Sequence, residues 1–294
     1  SPAMACLLVA KKPVAVSGEE VLLVWNPQTK REELIRYIDF RGQATDFGFI
    51  VPTPSEPSIR ALRSRAVFET LTGYYLRGPD SKGAIGGLGS RGAAAEGDAG
   101  VRVVSKVELP TAGQVATVLS AEDAGALERW LAQHGYAAGP AVKAYVRPYV
   151  ERGFFFVAFR YVKGQEERAR SSVVALTFDT DEPFFPYAEP RRGQRARPFR
   201  LTVLSPQPVT VNLGAKRWSA RVGFRGTIDS RGKYEIITRT DSELPGDRWV
   251  LTTFDEPNSR RGRNDLRLEV SPEAPDVPGQ LKTIIGARPE YSAR

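Results

Sequence analysis

Apolar and polar positions alternate most clearly in residues 34–40. Leu34, Ile38 and Phe40 share one parity and Ile35, Tyr37 and Asp39 the other, which predicts a strand with two unlike faces. Before it, residues 14–25 read as a strand region. There Gly18-Glu-Glu20 is expected to turn, and the run Val21-Leu-Leu-Val-Trp25 has the length and bounds of a buried strand. After it, residues 41–45 read as a loop and residues 46–51 as a returning strand, so a hairpin or small meander is expected. Pro52, Pro54 and Pro57 stop it, because proline cannot donate to a strand ladder.

The period then changes. Ile59, Leu62, Ala66, Phe68 and Leu71 give a helical stripe over residues 58–75. Residues 101–109 and 114–119 are strand-like. Leu127, Trp130, Leu131 and His134 stand at i, i+3, i+4 and i+7, which predicts a helix. Ser120 is read as its N-cap with Asp123 supporting it, and Gly135 as its C-terminal glycine. A second short helix is expected at 143–151, interrupted by Pro148. Beyond Gly153 the expected strands are 154–162, 172–178, 199–204, 218–228, 234–238, 249–254 and 265–270. These elements imply an α+β protein of mostly antiparallel or mixed β-sheet with two or three packed helices.

Residues 78–100 are dense in glycine and nearly free of large apolar side chains. Such a segment cannot bury enough surface to offset its ordering entropy. It therefore divides the chain into a β-rich part at 5–77 and an α+β part at 101–270, which are able to share one sheet. The segment itself reads as a mobile loop or linker, and residues 271–294 as an irregular tail. Gly86-Gly-Leu-Gly89 lacks the lysine and the strand-to-helix setting of a phosphate-gripping loop.

The 294 residues are 41% hydrophobic and 10% aromatic, enough for a packed core. No apolar run approaches the roughly 20 residues of a membrane-spanning helix. One cysteine, Cys6, and one histidine, His134, exclude an intrachain disulfide and a Cys/His zinc cluster. The helix-end position of His134 suits packing or the helix dipole better than catalysis. Residues 1–4 read as a cloning remnant, with native sequence starting near Ala5-Cys6 and a signal peptide removed upstream. Cys6 is then a candidate for lipid attachment, or else a small buried residue opening a strand.

Net charge is +8, and the excess is clustered. Arg191, Arg192, Arg195, Arg197 and Arg200 fall in one acid-free decapeptide, Arg260, Arg261 and Arg263 in a second cluster, and Arg60, Arg63 and Arg65 in a third. Such clusters attract anionic glycans, lipid headgroups or nucleic acid, or simply keep loops solvated. Nucleic acid ranks below the others, since no nucleic-acid fold motif accompanies the charge. The first two clusters are the candidate surface for an anionic partner. Phe184-Phe-Pro-Tyr187, just before the first, is either an aromatic platform or a loop pinned by its own rings.

Candidate chemistry is sparse. Asp39 and Asp46, on strands expected to adjoin, are the possible acid pair of a carboxylate-dependent hydrolase acting on an envelope glycan. Asp179-Thr-Asp-Glu182 could offer oxygens to calcium, but its spacing suits a plain turn. No catalytic residue, metal or cofactor is assigned.

One group of motifs resembles a known family. Phe40-Arg-Gly42-Gln-Ala44-Thr-Asp46-Phe47-Gly-Phe49-Ile50-Val-Pro52-Thr-Pro54 is similar to the pattern of a bacterial family described only as domain of unknown function 2330. Val118-Leu-Ser120 with Asp123 to Tyr136, and Tyr149 to Ala158, match it in order and spacing, so the resemblance covers roughly residues 5–255. The resemblance implies an exported protein, periplasmic or outer-membrane-associated; together with the arginine clusters and the sparse chemistry, the expected function is a non-enzymatic envelope protein that binds or scaffolds an anionic partner. Nucleic-acid binding stands as a further alternative. It offers no active site to carry over. Gly42, two phenylalanines and two prolines are what a fold-defining corner requires rather than what a reaction requires.

Overall fold

The computed structural model describes residues 7–10, 14–42, 46–77, 100–109, 114–162, 168–189, 196–212 and 218–278. The chain opens with strands β1 (Leu7–Ala10), β2 (Val14–Asn26), β3 (Arg31–Gly42), β4 (Asp46–Thr53) and β5 (Ser58–Leu62), then helix α1 (Ala66–Arg77). Strands β6 (Val101–Glu108) and β7 (Gln114–Ala121) lead into helices α2 (Ala124–Gln133) and α3 (Pro140–Val150). Strands β8 (Phe155–Val162), β9 (Arg168–Arg170), β10 (Val173–Asp179), β11 (Phe184–Phe185), β12 (Arg197–Ser205), β13 (Val209–Asn212) and β14 (Arg221–Thr227) follow. Helix α4 (Ser230–Thr240) and strands β15 (Val250–Ser259) and β16 (Leu266–Val270) come last among the described residues. The α+β class expected from the pattern is the class observed.

Two large sheets carry the fold. One is five-stranded, in the order β1-β4-β8-β7-β6, and wholly antiparallel. The other is eight-stranded, in the order β14-β15-β12-β2-β3-β10-β5 with β9 also on β3. Its pairs are antiparallel except β12 with β2. A small sheet, β11-β16-β13, flanks them. Strands from the first 62 residues and strands from residues 101–259 share both large sheets, and in the eight-stranded one they interleave, with β10 between β3 and β5.

Three apolar clusters make four layers. Leu34, Ile38 and Phe40 of β3 pack with Phe47, Phe49, Phe159 and Tyr161 of the five-stranded sheet, which joins the inner faces of the two sheets. The outer face of the five-stranded sheet packs through Ile50, Phe156 and Ala158 on α2 and α3. Ile35 and Tyr37, on the other face of β3, pack with Phe68 and Leu71 of α1 and Ile236 of α4. The alternation read in β3 therefore sorts its residues between the sheet-to-sheet core and the helical layer.

Several local expectations change. Gly18-Glu-Glu20 does not turn; β2 runs through it with a bulge between Val16 and Gly18, and both glutamates are buried. Strands β3 and β4 form no hairpin, because they belong to different sheets. The stripe over residues 58–75 splits into edge strand β5 and α1. Residues 234–238 lie in helix α4, not in a strand. The α2 N-cap is Asp123, whose carboxylate accepts from the Gly125 and Ala126 amides, while Ser120 still lies within β7. Residues 78–99 and 279–294 lie outside the described residues.

Candidate functional site

Arg197 of the first arginine cluster and the second cluster, just past β15, meet at one corner of the eight-stranded sheet. In the β12–β15 pair, Arg197 stands opposite Ser259. Past β15 the chain continues through Arg260, Arg261, Gly262 and Arg263. The Glu189 amide donates to the Gly262 carbonyl at 2.8 Å. Glu189 and Arg197, which flank residues 190–196, are thus both fastened to the 259–262 segment. Arg191, Arg192 and Arg195 themselves lie outside the described residues. Arg260 and Arg263 are exposed, whereas Arg261 between them is only 1% exposed.

Arg261 enters a buried ionic network. Its guanidinium pairs with Glu19, and Nη1 lies 3.4 Å from Oε1 of Glu189. Glu189 also pairs with Arg197, and Glu19 with Nε of Arg36 at 2.7 Å. The Arg261 guanidinium carbon sits 4.5 Å from the Phe199 ring centre and 4.8 Å from that of Tyr187, so aromatic faces share its charge. Burial alone would raise the Glu19 carboxyl, but Arg261, Arg36 and Arg197 together hold it below the ordinary value.

Arg200 also points inward, on the opposite face of β12. Its Nε reaches Asp255 at 2.8 Å, its Nη1 reaches the Thr72 hydroxyl at 3.2 Å, and Glu20 lies 3.9 Å away. Arg65 reaches the same Glu20 at 3.3 Å. Arg197, Arg200 and Arg261 thus face carboxylates inside the fold, where an external anion cannot reach them. The surface expected from the arginine clusters reduces, among the described residues, to Arg260 and Arg263.

Hydroxyls and rings complete the corner. Glu256 accepts from the Tyr187 hydroxyl at 2.5 Å and from Ser219, and Tyr187 also bonds Ser259 at 3.0 Å. Burial pushes the Tyr187 phenol up to about 12, so it stays a donor. Trp218 stands edge-on to Tyr187 with centroids 5.8 Å apart. The run Phe184 to Tyr187 is buried and serves as an inner wall rather than an exposed platform.

The remaining candidates lie elsewhere. Asp39 accepts from the Tyr37 hydroxyl at 2.6 Å. Asp46 is on β4 in the other large sheet, opposite Val162, so no hairpin brings the two acids face to face. His134 stacks on Trp130 with centroids 3.8 Å apart, and its Nδ1 lies 2.8 Å from the Trp130 carbonyl. Asp181 pairs with Lys30 and Glu182 with Arg267. Among the described residues no three metal-ligating side chains gather. Cys6 lies outside them. The sequence reading missed Glu19 and Glu20. Apolar residues on both sides of them, Val14 and Val16 before and Val21 to Trp25 after, were the available signal that a strand, not a turn, carries these acids inward.

The family described as "Uncharacterized protein conserved in bacteria (DUF2330)" matches residues 2–231. The chain belongs to this family. The match ends inside α4, so within the DUF2330 chain Arg197 and Glu189 fall in the matched region and Arg260 to Arg263 beyond it. No curated protein matches the chain. Among solved structures, the crystal structure of baculovirus P35 is similar over 89% of this chain and 98% of that one, at 10% identity and a TM-score of 0.39. A likeness so distant carries nothing further.

Proposed function

We propose that this DUF2330 protein is a non-enzymatic binding or scaffold module of the bacterial cell envelope, and that its arginine corner engages an anionic glycan or lipid headgroup. The observation that carries the reading is the split within three successive arginines. Arg261 is locked inside by Glu19 and Glu189, and this fixes Arg260 and Arg263 outside on a segment that also clamps both flanks of residues 190–196. A clamped cationic segment loses little conformational freedom when it meets an anion, which favours binding over a loose basic tail. Arg191, Arg192 and Arg195 belong to the proposed surface by their position in the chain. The envelope part of the proposal rests on the exported character that the family resemblance implies. The carboxylate-hydrolase alternative loses its geometric support, since Asp39 and Asp46 lie on strands of different sheets.

The test is sedimentation with vesicles of anionic or zwitterionic lipid, with an immobilised acidic polysaccharide in parallel. Near an anionic lipid surface each arginine contributes about 1 kcal/mol. Arg260→Ala with Arg263→Ala should therefore weaken binding about 30-fold. Equal binding of the double variant and the parent, or no binding of the parent to either anionic surface, overturns the proposal. Retention on nucleic acid alone replaces the envelope reading with the nucleic-acid one.

A further inference from the structure

Glu32, the second residue of β3, has a carboxyl that is 0% exposed and pairs with no cation among the described residues. One oxygen accepts from the Phe184 amide at 2.7 Å. The other has no hydrogen-bond partner among the described residues, and neither does the indole nitrogen of Trp25, the residue opposite Glu32 on β2. Among the described residues, the elements around it bring no charge to it. β2 contributes Trp25, β10 contributes Phe178 as its register partner, and β11 contributes Phe184. Arg36 lies four residues along the same face of β3 and pairs with Glu19. Glu33 points to the other face and pairs with Arg60. Arg31 and Asp179 are exposed. The Lys30–Asp181 and Arg267–Glu182 pairs lie at the surface.

An ionised carboxylate in such a place costs several kcal/mol of lost hydration with no counter-charge to recover it. We propose that Glu32 is a carboxylic acid held neutral inside the fold, and that its ionisation releases residues 184–189, making the arginine corner sensitive to pH. Those residues run from the Glu32 contact at Phe184 to Tyr187 and Glu189, which bond Glu256 and Gly262 at the corner. Burial raises the Glu32 carboxyl well above its ordinary value of 4.5. The latch is therefore fully present in acid and lost as pH rises through the raised value. The link to the corner rests on the function proposed above; the latch does not.

The test is amide hydrogen exchange of residues 180–189 across a pH series, corrected for intrinsic exchange. Vesicle binding is followed on the same samples. One proton is involved, so protection should fall by up to tenfold per pH unit between the ordinary value of 4.5 and the raised native value, and level off above it. Glu32→Gln keeps the acceptor for Phe184 and should give a flat profile. A flat profile in the parent, or the parent's slope in Glu32→Gln, overturns the latch. A protection change without any change in vesicle binding leaves the latch and overturns its link to the corner. Should the variant not fold, the infrared spectrum of the parent decides. A protonated-carboxyl band that disappears at high pH supports the latch, and its absence at neutral pH overturns it.

Discussion

Arg261 and Glu19, 242 residues apart in the chain, form an ion pair in which both side chains are completely buried. The pair joins the segment beyond β15 to the bulged part of β2, two places that share no strand pairing. Opening a buried pair from one side is costly because it strands a charge in a medium that cannot hydrate it. Here the loss is moderated. Without Arg261, Glu19 keeps Arg36 and Glu189 keeps Arg197. Arg261→Met should therefore cost about 3 kcal/mol, the low end of the range for such losses. Arg260→Met, one residue away and exposed, should stay within about 0.5 kcal/mol of the parent. Urea unfolding of both variants checks the contrast, and equal midpoints would refute the buried role of Arg261.

Acid should unlock the same network. The Glu19 carboxyl is held below its ordinary value of 4.5 by Arg261, Arg36 and Arg197 acting against burial. A lowered value means that the native state prefers the ionised form. This contribution is present above pH 4.5 and is lost as pH falls through the native value. Glu32 works in the opposite sense, losing its contribution as pH rises. Stability measured against pH should accordingly show an acid limb that flattens in Glu19→Gln and an alkaline limb that flattens in Glu32→Gln. Glu19→Gln should also be less stable than the parent at neutral pH. An unchanged acid limb in Glu19→Gln would assign that limb to other carboxylates.

The parts of the fold that a local pattern specifies were legible in the sequence. The faces of β3 follow from alternation, and α2 follows from Leu127, Trp130 and Leu131 with Gly135 behind them. Gly135 adopts φ +84°, and the Tyr136 amide bonds the Leu131 carbonyl at 2.9 Å, as a glycine-terminated helix requires. What was not legible depends on distant partners. Glu19 and Glu20 look like turn acids until Arg36, Arg261, Arg65 and Arg200 are brought beside them by sheet pairing. Arg260 and Arg261 look alike in sequence for the same reason, since charge can be counted but not its direction. The stretch Tyr234 to Thr238 holds two isoleucines and a threonine and reads as a strand. Its helical state comes from an N-cap upstream and from packing of Ile236 against the outer face of the eight-stranded sheet.

That cap is itself testable. Asp229 accepts the Gly232 amide at 2.7 Å and satisfies one of the four donors that a helix start leaves open. Few residues of α4 are intrinsically strong helix formers, so the cap should matter more here than in a leucine-rich helix. Asp229→Ala is expected to destabilise the protein by about 1 kcal/mol, and Asp229→Ser by much less. Thermal unfolding of the two variants checks this. Equal losses would mean that the Asp229 carboxylate acts through some bond other than the cap.

Gly48 is the glycine on which the N-terminal corner depends most directly. In the motif reading Gly42 carried that role, as the residue permitting a tight loop. The structure puts Gly48 inside β4, where a Cβ would clash with the edge of the Tyr136 ring and with the Phe159 carbonyl oxygen. Tyr136 is itself buried and reaches the Ala158 carbonyl with its hydroxyl at 3.4 Å. It lies two residues past His134, the C-terminal cap of α2, so its ring transmits the position of α2 onto the five-stranded sheet. Gly48→Ala must therefore move either a packed ring or the backbone of the adjacent strand β8. Overpacking of this kind costs about 1–3 kcal/mol, and the backbone oxygen places this site toward the upper end. Tyr136→Ala alone should also destabilise, by leaving a cavity. Combined, the two changes should cost less than their sum, since the removed ring makes room for part of the added methyl. A double-mutant cycle by urea unfolding reads this coupling. Strict additivity would show that the strand backbone alone, and not the Tyr136 ring, sets the need for glycine at this position.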